Sequence, residues 1–379
     1  MASTNPSRYL RHDLIDWLSQ DVLAATRVAV VGAGAIGNEV AKNFALLGVG
    51  HVDIFDFDKV ELHNLTRSIF LRESDVGRDK AEAVSARASE VDPNLHLSAI
   101  TGDAWKTLRL RSLPDYDCVV TAVDNFEARL KLNQLCQIAR VDMVNAAMDS
   151  RWVAVESYPF SSPDPTACYE CHLPDSAYER VAQRYSCGGL KRRAHAERKI
   201  PTTAITASIA GAFAASTALR LGESRQLPSR RIFVDTIGGG SQVTELVRRD
   251  DCPGCAAFGA APRLVHASRR WNRPGAEPDA ETARQVLRLS EALITDYRCA
   301  NCGMLEIADR YINRKAADFD DSIAFCAGCR QPAIQIEIRD CFRVQELVER
   351  FGARPIPVKY ALAEINGQTV CFNFEEDDR

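Results

Sequence analysis

The stretch Arg27-Val-Ala-Val-Val-Gly-Ala-Gly-Ala-Ile-Gly37 constrains this chain more than any other. Val28 to Val31 is a short, β-branched apolar run, the pattern of a buried strand. Gly32, Gly34 and Gly37 come next, and Asn38 to Leu47 then repeats apolar residues at helical spacing. Between a strand and a helix, such glycines permit a tight turn, let a phosphate approach bare backbone and aim the helix N-terminus at an anion. A second strand, Val52 to Phe55, ends at Asp56, where a carboxylate can accept ribose hydroxyls. Alone, this motif reads as a dinucleotide site or an ATP site, with dinucleotide the commoner answer.

The residues beyond Asp56 separate the two. Asp56-Phe-Asp58, Asn64-Leu-Thr-Arg67 and Val76-Gly-Arg-Asp-Lys80 place an arginine and a lysine just past the sugar-binding carboxylate. A nicotinamide enzyme has no obvious use for two more cations there. An enzyme that holds a triphosphate and spreads the charge of a transferring phosphoryl group does. With Val123-Asp124-Asn125 added, the combination resembles the ubiquitin-activating enzyme superfamily, nearest its bacterial MoeB/ThiF/HesA-type adenylating members, over residues 5–258.

Alternating strands and helices predict an α/β fold with a doubly wound, mostly parallel sheet that ends in antiparallel additions. The strands run through Leu95–Ile100, Cys118–Val123, Met143–Met148 and Trp152–Phe160, and the helices through Asp79–Val91 and Asn125–Arg140. The resemblance implies a Rossmann-like adenylation domain over 1–260 that uses ATP and Mg2+. Gly32, Gly34 and Gly37 would cradle the nucleotide, and Asp56 would hold the ribose. Asp58, Asn64 and Asn125 would help line the site. Arg67 and Lys80 would bind phosphates, and Asp124 would serve Mg2+, although a helix N-cap also suits an aspartate there. In the N-terminal segment, Ser7-Arg8-Tyr9-Leu10-Arg11 opens an amphipathic helical stretch to Ala25. Arg11 reads as part of a solvated basic helix or, by the resemblance, as an arginine finger given in trans to a partner's ATP, which requires a homodimer.

Thirteen cysteines are many, and their odd number argues against a full disulfide framework. Eight fall into four Cys-x-x-Cys pairs: Cys168/Cys171, Cys252/Cys255, Cys299/Cys302 and Cys326/Cys329. Two such knuckles supply the four thiolates of a structural zinc site, and none of the pairs has the helix-start context of a redox motif. The first two pairs match one structural zinc site of the relatives. The last two form a zinc ribbon in a C-terminal domain, 261–379, after a linker at Arg273-Pro-Gly-Ala-Glu-Pro-Asp279 and a helix from Ala280 to Thr295. A helix at Phe342–Phe351 and a hairpin turned at Asn366-Gly367 would complete that domain.

Among the unpaired cysteines, Cys118 and Cys136 fit buried apolar positions. Cys187 differs. It lies in Tyr185-Ser-Cys-Gly-Gly189 with Lys191, Arg192 and Arg193 beside it, cations that favour thiolate over thiol. The relatives that pass their substrate onward carry a cysteine there, before a helix of small residues, here Pro201 to Leu221. The basic loop Lys191–Lys199 is longer than in sulfur-carrier relatives and reads either as a contact for an acidic partner or as a solvated run.

The implied reaction is adenylation of the C-terminal glycine of a small ubiquitin-like or sulfur-carrier protein. Thioester formation on Cys187 and transfer to a conjugating enzyme would come after it. The alternatives are a sulfur-carrier adenylyltransferase of the molybdopterin or thiamine type, a nicotinamide oxidoreductase, and a non-catalytic zinc scaffold. A net charge of −4 gives no hint of nucleic acid or an anionic membrane as a partner. The sequence reads as free of any apolar run near bilayer length and of a signal peptide, so a cytoplasmic location is expected.

Overall fold

In the computed structural model, which describes residues 8–176, 201–223, 227–258, 262–266, 280–303, 311–318, 325–352 and 354–374, the valine run becomes the interior strand β1 (Arg27–Val31), exposed only at its first residue. The chain divides into two compact units, one made of Met1–His172 with Ile200–Cys255, the other containing Ala256–Arg379. In the first, β1 lies between β2 (His51–Asp56) and β4 (Cys118–Thr121). Outside these run β3 (His96–Thr101) and β5 (Asp142–Met148), all parallel. Then β6 (Trp152–Tyr158), β7 (Arg230–Asp235) and β8 (Ser241–Glu245) continue antiparallel, completing the order β3-β2-β1-β4-β5-β6-β7-β8. The chain therefore winds outward in both directions from β1 and β4. A sheet of this kind opens a crevice at the carboxyl ends of those two strands.

The helices of this unit are α1 (Gln20–Ala25), α2 (Ala35–Leu47), α3 (Lys80–Val91), α4 (Ala104–Thr107), α5 (Phe126–Ala139), α6 (Ala204–Glu223) and α7, which starts at its edge (Pro253–Phe258). Val28, Val30, Ile54, Val120 and Val144 of the sheet pack with Val40 and Phe44 of α2 and Ala210, Ala214 and Ala218 of α6 in one apolar core. The small residues of α6 permit this approach. A Cβ at Gly211 would stand 2.3 Å from the Cβ of Glu39 on α2.

Three expectations need correcting here. Ala204–Gly222 is long and apolar enough to cross a membrane by length and composition, against the reading that no run approaches that length. Its apolar stripe is nevertheless spent on the core. The helix begins at Ala204, not at Pro201, because the Thr203 hydroxyl accepts the Thr206 N–H at 3.1 Å and caps it. The N-terminal helix expected up to Ala25 is instead a 3-10 turn, His12–Leu14, followed by α1. Ser19 accepts the Val22 N–H and so starts a new helix at Gln20.

The second unit holds α8 (Ala280–Arg284), α9 (Val344–Phe351) and a five-stranded sheet. Its strands are β9 (Arg263–His266), β10 (Val286–Cys299), β11 (Ile334–Arg343), β12 (Tyr360–Ile365) and β13 (Gln368–Asn373), in the order β11-β10-β12-β13-β9. The helix expected over Ala280–Thr295 stops at Arg284. From Val286 the leucines at 287, 289 and 293 are buried while Val286 and Arg288 are exposed. That period of two overrides the helix-forming Leu, Ala and Glu of the segment. Leu287, Leu289 and Leu293 pack with Phe342, Leu347 and Phe374. The hairpin β12–β13 turns at Asn366 and Gly367 as expected, both at positive φ, 52° and 75°.

Candidate functional site

At the carboxyl end of β1 the three glycines differ. Gly32 has φ of +103°, and a Cβ there would lie 2.6 Å from the Ala122 carbonyl oxygen, just past β4. A Cβ at Gly37 would lie 1.9 Å from the Gly32 carbonyl oxygen. Gly34 faces open space, with no atom within 4 Å of the corresponding position. Two glycines thus close the turn, and the third leaves bare backbone exposed at the start of α2.

Asp56 ties this turn to β2. Its Oδ2 accepts the Ala33 N–H at 2.6 Å and its Oδ1 accepts the Asp58 N–H at 2.7 Å. Burial pushes its carboxyl up, against the opposing pull of those two N–H groups and of Lys80. Lys80, at the start of α3 and 9% exposed, places Nζ 2.8 Å from Asp58 Oδ2, and its N–H donates to the Asp58 carbonyl. Arg67 is half-buried and donates from Nη1 to the His63 carbonyl at 2.7 Å. Asn64 is buried and shapes the turn before it, its Oδ1 accepting the Glu61 N–H at 2.9 Å.

Asn38, which sequence reasoning passed over, joins these pieces. Fully buried in α2, it donates to the carbonyls of Ala33 and Gly34 and accepts the Phe70 N–H at 3.0 Å. The segment bearing Arg67 is thereby fastened to the glycine turn. Asp124 is exposed just beyond β4 and has no hydrogen bond or ion pair among the described residues. The helix cap falls to Asn125, whose Oδ1 accepts the Ala128 N–H at 2.8 Å, so the N-cap alternative for Asp124 is set aside. Arg11 is exposed on a segment anchored by Arg8 and Tyr9, both bonded to Asp92. Cys187 and the loop Lys191–Lys199 lie outside the described residues.

A family model described as the ThiF family matches residues 7–254. The chain belongs to the ThiF family. Over 267 residues it is 27% identical to a SAMP-activating enzyme E1 of Haloferax volcanii, a match that covers 68% of this chain and 91% of that protein. It is 31% identical over 195 residues to ubiquitin-like modifier-activating enzyme 5 of Bombyx mori, covering 46% of each, so it spans under half the length of that relative. Among solved structures, E. coli MccB with MccA-N7isoASN aligns with a TM-score of 0.55 at 25% identity, over 66% of this chain and 75% of that one. MccB with ATP aligns at 0.54 and 24% identity, with the same coverage. This ThiF-family chain is an activating enzyme of the E1-like superfamily.

Its cysteine pairs converge as expected. Cys168, Cys171, Cys252 and Cys255 are all buried, their sulfurs all within 4.8 Å of one another and four of the Sγ–Sγ distances between 3.4 and 3.9 Å. A tetrahedron of thiolates about 2.3 Å from a central zinc has edges of about 3.8 Å, so the four sulfurs fit that ion. Gly254 lets the knuckle pack closely, since a Cβ would lie 2.6 Å from the Glu170 carboxylate, which would have to shift, and 3.3 Å from Cys168 Sγ. In the second unit Cys299, Cys302, Cys326 and Cys329 form a like cluster, with Cys299–Cys329 at 3.7 Å and Cys302–Cys326 at 3.6 Å. Four thiolates leave zinc no open position, so both centres are suited to structure, not chemistry.

Proposed function

We propose that the chain uses ATP to adenylate the C-terminal glycine carboxylate of a small ubiquitin-like or sulfur-carrier protein, within a domain spanning 1–260. The observation that carries this reading is the open backbone at Gly34, flanked by Asp56 and by the Asp58–Lys80 pair. Gly32 and Gly37 hold the turn and Gly34 admits phosphate. Asp56 takes the ribose, while Arg67 and Lys80 neutralise phosphate charge, with Asp58, Asn64 and Asn125 shaping the surrounding turns. Asp124 is the ligand for Mg2+, which supplies further charge neutralisation when bound.

A carboxylate is already ionised near neutral pH and needs no general base. Its oxygen bonds to the α-phosphorus, the bond to the bridging oxygen breaks, and pyrophosphate leaves with that electron pair. What the residues contribute is alignment and charge stabilisation. In a second step the Cys187 thiolate attacks the acyl carbon and AMP departs, leaving a thioester for transfer to a conjugating enzyme. Homodimerisation with Arg11 acting in trans is supported by the N-terminal segment. Its Arg8 and Tyr9 are bonded to the chain's own Asp92, whereas Leu10, Leu14 and Trp17 are exposed. The zinc ribbon of 261–379 would dock a partner or brace the dimer.

The test is ATP–pyrophosphate exchange that depends on a glycine-ended small protein. Wild type exchanges, and Lys80→Ala or Arg67→Ala loses roughly 100-fold or more. Binding of NAD with indifference to ATP would refute the proposal. A thiol-sensitive adduct that disappears in Cys187→Ala separates conjugation from the sulfur-carrier alternative, in which the adenylate passes directly to a sulfur donor.

A further inference from the structure

One buried charge has no part in that chemistry. Arg129, at the end of the first turn of α5, is 8% exposed and forms no ion pair among the described residues. Its Nη1 donates to Asn145 Oδ1 and its Nη2 to the carbonyl of Val123, the residue before Asp124. The side chain therefore runs back to the N-terminal end of its own helix. A cation there meets the positive end of the helix dipole, which costs helix stability. Burial also pushes the guanidinium down from its ordinary value. Glu156 and Asp124 offset part of that burial electrostatically, without an ion pair to either.

The sheet beneath is arranged to keep Arg129 in place. Thr121, Asn145, Glu156 and Arg231 occupy one row across β4 to β7. Glu156 Oε1 accepts from Arg231 Nε at 2.7 Å, and its Oε2 accepts from the Tyr158 hydroxyl at 3.0 Å and from Asn145 Nδ2 at 2.7 Å. An ionised carboxylate only accepts, so Asn145 must turn its amide nitrogen to Glu156 and its oxygen to Arg129. The Thr121 hydroxyl donates to that same oxygen at 2.9 Å.

We propose that Arg129 is the positioning residue for Asp124: it clamps the Val123 carbonyl, fixes the turn that presents the carboxylate, and supplies positive charge at the carboxyl end of β4 for the triphosphate. This inference rests on the adenylating reading. Its test compares wild type with Arg129→Met, Arg129→Lys and Asn145→Ser. The readouts are the Mg2+ concentration for half-maximal exchange, the KM for ATP, and the thermal midpoint. Arg129→Met raises the Mg2+ requirement about 10–100-fold, the range for lost support of a metal ligand. Arg129→Lys recovers part of it, because an ammonium still reaches one acceptor, and Asn145→Ser shifts it in the same direction. A lower thermal midpoint with an unchanged Mg2+ requirement in all three variants overturns the proposal and leaves the adenylating reading standing. If wild type exchanges no pyrophosphate and calorimetry finds no binding of Mg·ATP, the reading itself fails and the inference falls with it.

Discussion

Gly34 and Gly37 stand three residues apart and answer to different demands. Gly37 packs where a methyl group would strike the Gly32 carbonyl, so Gly37→Ala should cost about 1–3 kcal/mol of stability, read by denaturant unfolding. Gly34 faces open space at φ of −73°. Gly34→Ala should therefore leave stability within about 1 kcal/mol of wild type or raise it, yet weaken ATP binding, read by calorimetry. Equal losses in both properties for both variants would contradict the assignment. At this scale the sequence announced the glycines, Asp56, Arg67 and Lys80, because each stands in a spaced motif with a chemical reason. It did not announce Asn38 or Arg129, whose importance lies in carbonyls reached only after folding. Asn145 carried a fainter signal, a polar residue inside the run Met143–Met148 otherwise made of Val, Ala and Met, and Glu156 a charge inside the strand Trp152–Tyr158.

Among the elements, α5 reaches both the turn at Asp124 and the first zinc knuckle. Asn133, fully buried, accepts the Tyr169 N–H at 3.0 Å and donates to Glu170, so the helix is fixed to the residues between Cys168 and Cys171. The N-terminal segment is held differently, by Asp92 at the end of α3. Burial alone would raise that carboxyl, but the Tyr9 hydroxyl, the Asn94 N–H and Arg8 together hold it below the usual aspartate value. A lowered carboxylate stabilises the fold above its unfolded-state value and loses that contribution as pH falls through the folded one. Wild type should thus be more stable than Asp92→Asn at neutral pH and lose the advantage on acidification through that window, in urea titrations at stepped pH. A constant gap at all pH values would contradict this. The parallel strands were legible as elements because β-branched runs buried on both faces resemble little else. The start of β10 was not, since leucine, alanine and glutamate favour a helix and only the sheet partners β11 and β12 decide for a strand.

For the molecule as a whole, the parallel sheet with antiparallel additions and the two cysteine clusters were readable in advance. The pairing of knuckles 84 residues apart came from the resemblance, because sequence spacing alone cannot say which pairs meet. The purified chain should carry two zinc ions by native mass spectrometry. Cys171→Ser and Cys302→Ser should each reduce this to one, and retention of both ions in either variant would contradict the clusters as metal centres.

The first cluster has a topological consequence. With the ion in place, everything from Cys171 to Cys252 is a closed ring, in which long helix and nucleophile candidate alike are enclosed. Cutting the backbone once inside that ring should yield two fragments on a denaturing gel that nonetheless migrate as one particle under native conditions, and that resist separation by urea longer with the metal bound than after a chelator has taken it away.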